Sequence, residues 1–189
     1  MPMSSGKKLS QTFTCAAIFI LSMLVSGGCD LKKRNIKQAL QAFEQTIIAL
    51  PSDMGVIQDG KMSEMTNPTD IPILIRYVGA EECSNCQITH LMEEETLFRM
   101  AEESGLFQYM IILSPPFEDL IQVKENLMEA RFHHPVYLDV NGTFELQNVI
   151  PKDRRMHTFL LDTMRRPIFV GDPLASESLM NVFCQALKR

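Results

Sequence analysis

The order of apolar runs along this 189-residue chain restricts its possible folds more than any other feature of the sequence. Runs rich in β-branched and aromatic residues, which are typical of strands, alternate with segments whose apolar residues recur at helical spacing. The predicted strands cover residues 71–79, 106–114, 134–140, 156–162 and 167–173, and the predicted helices begin at Cys86, Phe117, Thr143 and Ala175. Strands that alternate with helices imply parallel crossover connections. Only a short polar link joins the last two strands, which predicts an antiparallel hairpin and therefore a mixed central sheet with helices on both faces.

A further helix is predicted ahead of these strands, over residues 31–50, because apolar side chains recur at helical spacing until Pro51. The next segment, 51–70, is rich in turn formers and can contain short edge strands. We therefore assign residues 29–70 to a lead-in and residues 71–189 to the main domain.

The helical patterns also predict which side chains face the sheet. In the helix over 117–132 these are Phe117, Leu120, Ile121, Leu127 and Met128. In the closing helix they are Leu179, Val182, Phe183, Ala186 and Leu187. The helix that begins at Cys86 is expected to run unbroken to Ser104.

The first 28 residues have the pattern of a secretory signal peptide. Lys7 and Lys8 precede an apolar run, 13–25, that is short for a membrane span, and small residues then lead to Cys29. This arrangement resembles a bacterial lipobox, although Ser26 stands where leucine is usual. We expect a lipid anchor on Cys29, with an uncleaved anchor or cleavage without a lipid as the alternatives. All three place the domain outside the cytoplasm, on the periplasmic side of a bacterial membrane.

Charge and cysteine number limit the possible functions. The net charge of −5 becomes −7 without residues 1–28, so nothing indicates nucleic-acid binding. Besides Cys29, the remaining chain holds Cys83, Cys86 and Cys184. An odd number of thiols outside the cytoplasm argues against a disulfide-rich scaffold and favours one functional pair plus a spare.

The pair lies in the stretch EECSNCQITH, residues 81–90, at the carboxyl end of one predicted strand and the first turn of a predicted helix. Partial positive charge and free N–H groups at a helix start stabilise a thiolate, which is the reactive species in disulfide exchange. Two intervening residues let the second sulfur, one turn later, reach the first. Cys83 is the candidate attacking thiol and Cys86 the candidate resolving thiol.

The strand before CSNC, the helix after it, and the runs FQYMIILS, HPVYLDV and HTFLLD resemble the thioredoxin-like superfamily, most closely its extracytoplasmic, membrane-anchored TlpA/ResA-type branch. The resemblance covers residues 71–187. It implies an α/β, thioredoxin-like three-layer sandwich that acts as a thiol–disulfide oxidoreductase without a bound organic cofactor. The implied substrate is a protein or small-molecule disulfide or dithiol, and a reductase in this compartment also needs an electron donor, which we expect to be a membrane protein.

Two positions depart from that family. Glu81 and Glu82 stand before the first cysteine, where the family has an aromatic or small residue, and like charges disfavour a thiolate. We therefore expect this pair to be less oxidising than one whose thiolate is strongly stabilised. His157 stands where the family has a cis-proline facing the cysteines. A cis bond before a non-proline residue costs about 2.5–4 kcal/mol, so we expect Met156–His157 to be trans.

Two alternative interpretations accompany the redox pair. Cys83, Cys86, His157 and His90 can supply two sulfurs and two nitrogens, a set suited to zinc or soft copper. The domain can also be a thioredoxin-fold binding module without catalysis, because a fold does not fix a function.

Other candidate groups have simpler explanations. The pair His133 and His134 fits a polar turn better than a metal site, and Cys184 fits a half-buried inert thiol better than a third exchanging one. Four arginines near the final hairpin are expected to form a solvated face rather than a site for an acidic partner: Arg154, Arg155, Arg165 and Arg166.

Overall fold

The computed structural model describes residues 33–65 and 70–188, so the signal sequence and Cys29 lie outside it. Within these residues the strands are β1 (Gly55–Gln58), β2 (Lys61–Glu64), β3 (Ile73–Val78), β4 (Gln108–Leu113), β5 (Val136–Leu138), β6 (Thr158–Leu161) and β7 (Pro167–Val170). The α-helices are α1 (33–43), α2 (Ser84–Ile88), α3 (Glu95–Ser104), α4 (Leu120–Glu129), α5 (Thr143–Gln147) and α6 (Glu177–Ala186).

The described strands form one mixed sheet in the order β2-β1-β5-β4-β3-β6-β7. β3, β4 and β5 are parallel neighbours, whereas the β1–β2 and β6–β7 hairpins are antiparallel. β3 therefore has a parallel neighbour on one side and an antiparallel neighbour, β6, on the other. The fold is α/β and thioredoxin-like, which confirms the prediction from the sequence.

The sheet begins earlier in the chain than the sequence indicated. The segment 51–70 does contain the expected edge strands, β1 and β2, and β1 pairs with β5 through Gly55 and Leu138. A domain start at residue 71 would separate two strands from their own sheet. The compact unit that holds the sheet begins at Ala42 instead.

Apolar cores cover both faces of the sheet. Leu74 and Val78 of β3 face one core with residues of α2, α3, α4 and α6, and Ile75 faces the other with Phe43 and with Phe144 of α5. Burial on both faces explains why the strand sequences are continuously apolar rather than alternating. The predicted arrangement of helices on both faces is confirmed.

The first helix is shorter than predicted. It ends at Phe43 rather than near Pro51, because Thr46 donates to the Phe43 carbonyl from both its backbone N–H, at 3.0 Å, and its hydroxyl, at 2.7 Å. The Ile48 N–H then donates to the carbonyl of Arg165 at 2.9 Å. This bond holds the segment after the helix against the β6–β7 turn. No helix in the described ranges is long and apolar enough to cross a bilayer.

The helix predicted from Cys86 to Ser104 is two helices, α2 and α3, with a turn and a 3-10 segment between them. The Thr89 hydroxyl donates to the Cys86 carbonyl at 2.7 Å and competes with the backbone bond that would continue α2. The predicted end of the second helix is confirmed, because Gly105 adopts the left-handed conformation with φ of 61°.

Several side chains predicted to face the sheet are exposed instead. Phe117, just before α4, is 77 % exposed, and Ile121 and Met128 of α4 are 73 % and 56 % exposed. A 3-10 turn precedes this helix, and Val123 and Leu127 form its buried stripe. Neighbouring positions on a helix lie about 100° apart, so this stripe leaves Ile121 and Met128 to the side. Val182 of α6 is likewise half exposed.

Truncations of side chains on the two sides of α4 should have very different effects on the free energy of unfolding. Leu127→Ala removes a side chain that is 3 % exposed and should lower the free energy of unfolding by about 2–5 kcal/mol. Ile121→Ala removes an exposed one and should change it by less than about 0.5 kcal/mol. Urea denaturation followed by circular dichroism measures both, and equal losses would show that the outer side of α4 is buried.

Candidate functional site

Cys83 and Cys86 form a disulfide at the carboxyl end of β3, with their Cα atoms 5.2 Å apart. Both residues are exposed, so an incoming thiol can approach either. The sequence predicted this pairing. Because exposure does not distinguish the two residues, the roles of the two sulfurs are assigned from their bonding.

Cys83 is the N-cap residue of α2, and its Sγ accepts the backbone N–H of Cys86 at 3.1 Å. The Cys83 carbonyl accepts the N–H of Gln87 at 3.1 Å and so starts the helix. Because α2 has only five residues, its dipole is small, and the direct N–H contact is the main local stabilisation of negative charge on Cys83. This contact favours Cys83 as the thiolate-bearing member of the pair.

Glu82 does not present an unpaired charge to the sulfurs. Its Oε1 lies 2.8 Å from His157 Nδ1 and accepts the Gly79 N–H at 3.3 Å, and its Oε2 lies 3.8 Å from Arg154 Nε. The side chain is only 11 % exposed. Glu81, by contrast, is solvent-exposed, and its carbonyl accepts from Arg154 at 3.3 Å. The expected repulsion by two free acids is therefore wrong for Glu82, because cationic partners offset its charge.

His157 lies at the start of β6, and its carbonyl accepts the Tyr77 N–H of β3 at 2.9 Å. The preceding peptide bond is trans, as expected. Nε2 of the ring lies 2.8 Å from the Pro151 carbonyl, which can only accept, so Nε2 carries a proton. A carboxylate oxygen accepts hydrogen bonds, so Nδ1 donates to Glu82 as well. With both ring nitrogens donating, the ring is an imidazolium that forms an ion pair with Glu82.

The alternative metal set is not assembled. Both ring nitrogens of His157 already have oxygen partners, and His90 is exposed, with Nδ1 3.3 Å from Glu93. Sulfurs joined in a disulfide do not act as thiolate ligands. Among residues 33–65 and 70–188, no three His, Cys, Asp or Glu side chains are placed to hold a metal ion.

Two clefts, of 320 and 500 Å³, adjoin the Glu82–His157 pair. Both are lined by Tyr77, Glu82, Arg154 and His157, and the second also reaches Gln87 of α2. Their volumes fall within the range of small-ligand pockets. The pair therefore contributes to the walls of two open spaces near the loop that precedes the disulfide.

A partly buried charged network that the sequence did not predict lies beneath α2. Arg76 of β3 places Nε 3.2 Å from Glu94 Oε1, and its Nη2 donates to Gln87 at 3.1 Å. The Tyr109 hydroxyl donates to the other Glu94 oxygen at 2.6 Å, and Asp172 lies 3.8 Å from Arg76. An arginine inside an apolar strand run was the available signal, because a charge at such a position requires a partner.

This network has unusual acid–base properties. Burial raises the pKa of the Glu94 carboxyl, and the neighbouring Arg76 and Tyr109 only partly oppose that effect. Burial, followed by the charge of Glu94, raises the pKa of Tyr109. The network ties α2, the start of α3 and the loop after β7 to the centre of the sheet, so it supports the helix that carries Cys86.

The remaining candidate groups lie away from the disulfide or have partners of their own. His134 stacks on Phe98 with centroids 3.9 Å apart, and His133 lies 2.7 Å from Asp59. Cys184 is a free thiol of intermediate exposure at the edge of the apolar core.

Of the four arginines, Arg154 reaches the loop before Cys83. Arg155 pairs instead with Asp153 at 2.6 Å, and hydrogen bonding to that carboxylate raises its pKa. The Arg154 side chain is 64 % exposed, so it lies on the solvated face that the sequence predicted, although its guanidinium also donates to the Glu81 carbonyl and lies 3.8 Å from Glu82.

Comparison with models of known protein families finds no match, and no curated protein is detectably similar. Among solved structures, a PrxQ mutant from Xylella fastidiosa has a TM-score of 0.49 at 14 % identity, over 75 % of this chain and 97 % of that one. The thioredoxin domain of a thiol-disulfide oxidoreductase from Bacteroides vulgatus gives 0.47 at 14 %, over 75 % and 98 %. An uncharacterized thioredoxin-like protein from Porphyromonas gingivalis gives 0.44 at 14 %, over 76 % and 93 %. These likenesses are distant, so functional inference rests on the site.

Glu94→Gln should change how stability depends on pH. Because the pKa of Glu94 is raised in the folded state, the folded protein binds more protons than the unfolded chain at pH values between the two pKa values. The free energy of unfolding of the wild type therefore falls as pH rises from the ordinary pKa near 4.5 through the raised pKa of the folded state. The amide does not titrate, so the free energy of unfolding of the variant, relative to wild type, should increase across that window. Urea unfolding between about pH 4 and pH 8 measures this difference.

Glu103→Gln, which alters an exposed carboxylate on α3, is the matched control and should give a nearly constant difference. A difference for Glu94→Gln that stays flat or decreases with pH would contradict the raised pKa of Glu94.

Proposed function

We propose that this protein is a thiol–disulfide oxidoreductase of the extracytoplasmic, membrane-anchored TlpA/ResA type. The observation that carries the proposal is the exposed Cys83–Cys86 disulfide at the junction of β3 and α2, with one sulfur bonded to a backbone N–H. A structural cross-link between residues so close in sequence closes a short loop and constrains the unfolded chain little. Its position beyond the carboxyl end of an interior strand, open to solvent, suits exchange with another molecule.

In the reducing direction, the Cys83 thiolate attacks one sulfur of a substrate disulfide. A mixed disulfide forms, and the other substrate sulfur leaves as a thiolate and takes a proton from solvent. The Cys86 thiol then loses its proton and attacks Cys83 Sγ, which releases the second substrate thiol and closes the Cys83–Cys86 disulfide. Two electrons pass from the protein dithiol to the substrate, and the same steps in reverse oxidise a dithiol.

The bonding of the two sulfurs supports this order of attack. Cys83 Sγ accepts the Cys86 N–H, and the same donor would stabilise negative charge on Cys83 after reduction. Cys86 lies one helical turn further on, and its Cα is 5.2 Å from that of Cys83, within reach for disulfide formation. Regeneration of the dithiol requires an external reductant, for which we propose a thiol-bearing membrane protein.

Anchoring and location rest on the leader sequence. Residues 1–28 have the order of a lipoprotein signal, and Cys29 follows them. We propose that Cys29 carries a lipid and holds the domain at the periplasmic side of a bacterial membrane. A disulfide-forming pair is compatible with such an oxidising compartment.

The two cysteines should differ in a trapping experiment. Cys86→Ser retains the attacking thiol but cannot resolve, so it should accumulate a stable mixed disulfide with a disulfide reagent such as oxidised glutathione. Cys83→Ser lacks the stabilised thiolate and should form about tenfold less adduct under the same conditions. Intact-protein mass spectrometry measures the adducts.

The wild-type protein provides the control for turnover and should release glutathione while closing its own disulfide. Absence of any exchange in the wild type would reject the oxidoreductase proposal. A metal assay on the reduced protein belongs with this experiment, because stoichiometric zinc or copper would favour the metal-binding alternative.

The lipid anchor gives a separate prediction. Cys29→Ser should move the protein from the membrane fraction to the soluble fraction or leave an unprocessed precursor, because the acylation site is lost. Mass spectrometry of the mature N-terminal peptide should show a lipid on Cys29 of the wild type. A wild-type protein with an unmodified Cys29 would contradict the lipoprotein assignment without affecting the redox proposal.

A further inference from the structure

We propose that Glu82 and His157 are a positioning pair of opposite charge that holds the loop before Cys83 and sets the reactivity of the Cys83 thiolate through the balance of their charges. The inference rests on the proposed function and assigns two residues a role in the same site. Neither residue touches the reacting sulfurs in the contacts described above. Both act on Cys83 through the conformation of its loop and through their charges.

The contacts of the pair account for the holding role. The chain turns between β3 and Cys83, and Glu82 closes that turn by accepting the Gly79 N–H with its side chain and by donating its own N–H to the Gly79 carbonyl at 2.9 Å. The carboxylate then bonds His157, whose ring is fixed by the Pro151 carbonyl. Arg154 adds a bond to the Glu81 carbonyl. Residues of segment 151–157 therefore bond residues 79–82, which lie directly before the attacking cysteine.

Burial makes these charges effective. The side chains of Glu82 and His157 are only 11 % and 13 % exposed, so water screens them less than it screens the exposed Glu81. Glu82 is the residue next to Cys83 in the chain, and its negative charge alone would disfavour a thiolate there. The imidazolium of His157 offsets it, with a weaker contribution from the more exposed Arg154 at 3.8 Å.

Other charged groups around the pair are more distant from its bonds. Lys152, Glu81 and Glu145 line one adjoining cleft, and Arg155 and Asp172 line the other. The Tyr77 ring lies against His157, with centroids 5.5 Å apart, and burial raises the pKa of its hydroxyl, which therefore stays neutral. These groups surround the pair without replacing either of its members.

An electrostatic role and a purely structural role of the Glu82–His157 pair predict different changes in the reactivity of Cys83. If the pair only braced the loop, loss of either member would disturb Cys83 in the same direction. If the charges act on the thiolate, removal of the negative member should favour the thiolate and removal of the positive member should disfavour it. Removal of both should restore a rate near that of the starting protein.

The test measures the rate at which iodoacetamide alkylates Cys83 at pH 7 in the full-length, detergent-solubilised protein. The Cys86→Ser background prevents disulfide closure, and peptide mass spectrometry follows Cys83 apart from the other thiols. Glu82→Gln should raise the rate roughly threefold to tenfold and His157→Gln should lower it by a similar factor. The double variant should return to within about twofold of the background.

Two further variants serve as controls for the position and the sign of the charge. Glu81→Gln makes the same charge change one residue earlier at an exposed site and should alter the rate by less than about twofold. His157→Lys restores a positive charge without the imidazole and should recover part of the rate lost in His157→Gln. Circular dichroism of each variant verifies that the fold is retained.

Rate changes of the same sign for Glu82→Gln and His157→Gln in folded variants would overturn the proposal, as would equal effects of Glu81→Gln and Glu82→Gln. These outcomes are separable from failure of the proposed function. If the wild-type disulfide exchanges with glutathione but the variants change the alkylation rate in the wrong direction, only the positioning role of the pair is rejected.

Discussion

The antiparallel pairing of β6 with β3 is the constraint on which the site depends. Because β6 runs opposite to β3, its first residues lie at the carboxyl end of β3, where the chain leaves the sheet towards Cys83. The bond from the Tyr77 N–H to the His157 carbonyl extends this pairing just beyond the strand. His157 and Glu82 are 75 residues apart in the chain and meet because of that register.

Two sets of charges then support the short helix that carries the cysteines. On one side, Glu82 and His157 offset each other beside the loop that precedes Cys83. Beneath the helix, Arg76 bonds both Gln87 of α2 and the buried Glu94. Buried ion pairs of this kind add little to stability over apolar packing, but loss of one partner leaves a costly uncompensated charge. They therefore fix a particular arrangement around the disulfide more than they add stability.

The sequence allowed prediction of the order of elements, the mixed sheet and the cysteine pair, because each depends on local patterns of apolar residues and spacing. It failed where a result depended on which helix side meets a neighbour, as for Ile121, or on a side chain competing with the backbone, as for Thr89. The partnership of Glu82 with His157 was also out of reach. Both residues were recognised as unusual, but only the strand register brings them together.

The proposed function requires that the Cys83–Cys86 disulfide is redox-active rather than structural. A redox titration of the full-length protein in glutathione and dithiothreitol buffers, with the thiols at both positions counted by mass spectrometry, tests it most directly. We expect the two cysteines to titrate together in one two-electron transition, about 30 mV per tenfold change in ratio, with a midpoint between about −120 and −270 mV. A disulfide that stays oxidised below about −300 mV, or two cysteines that titrate independently, would contradict it.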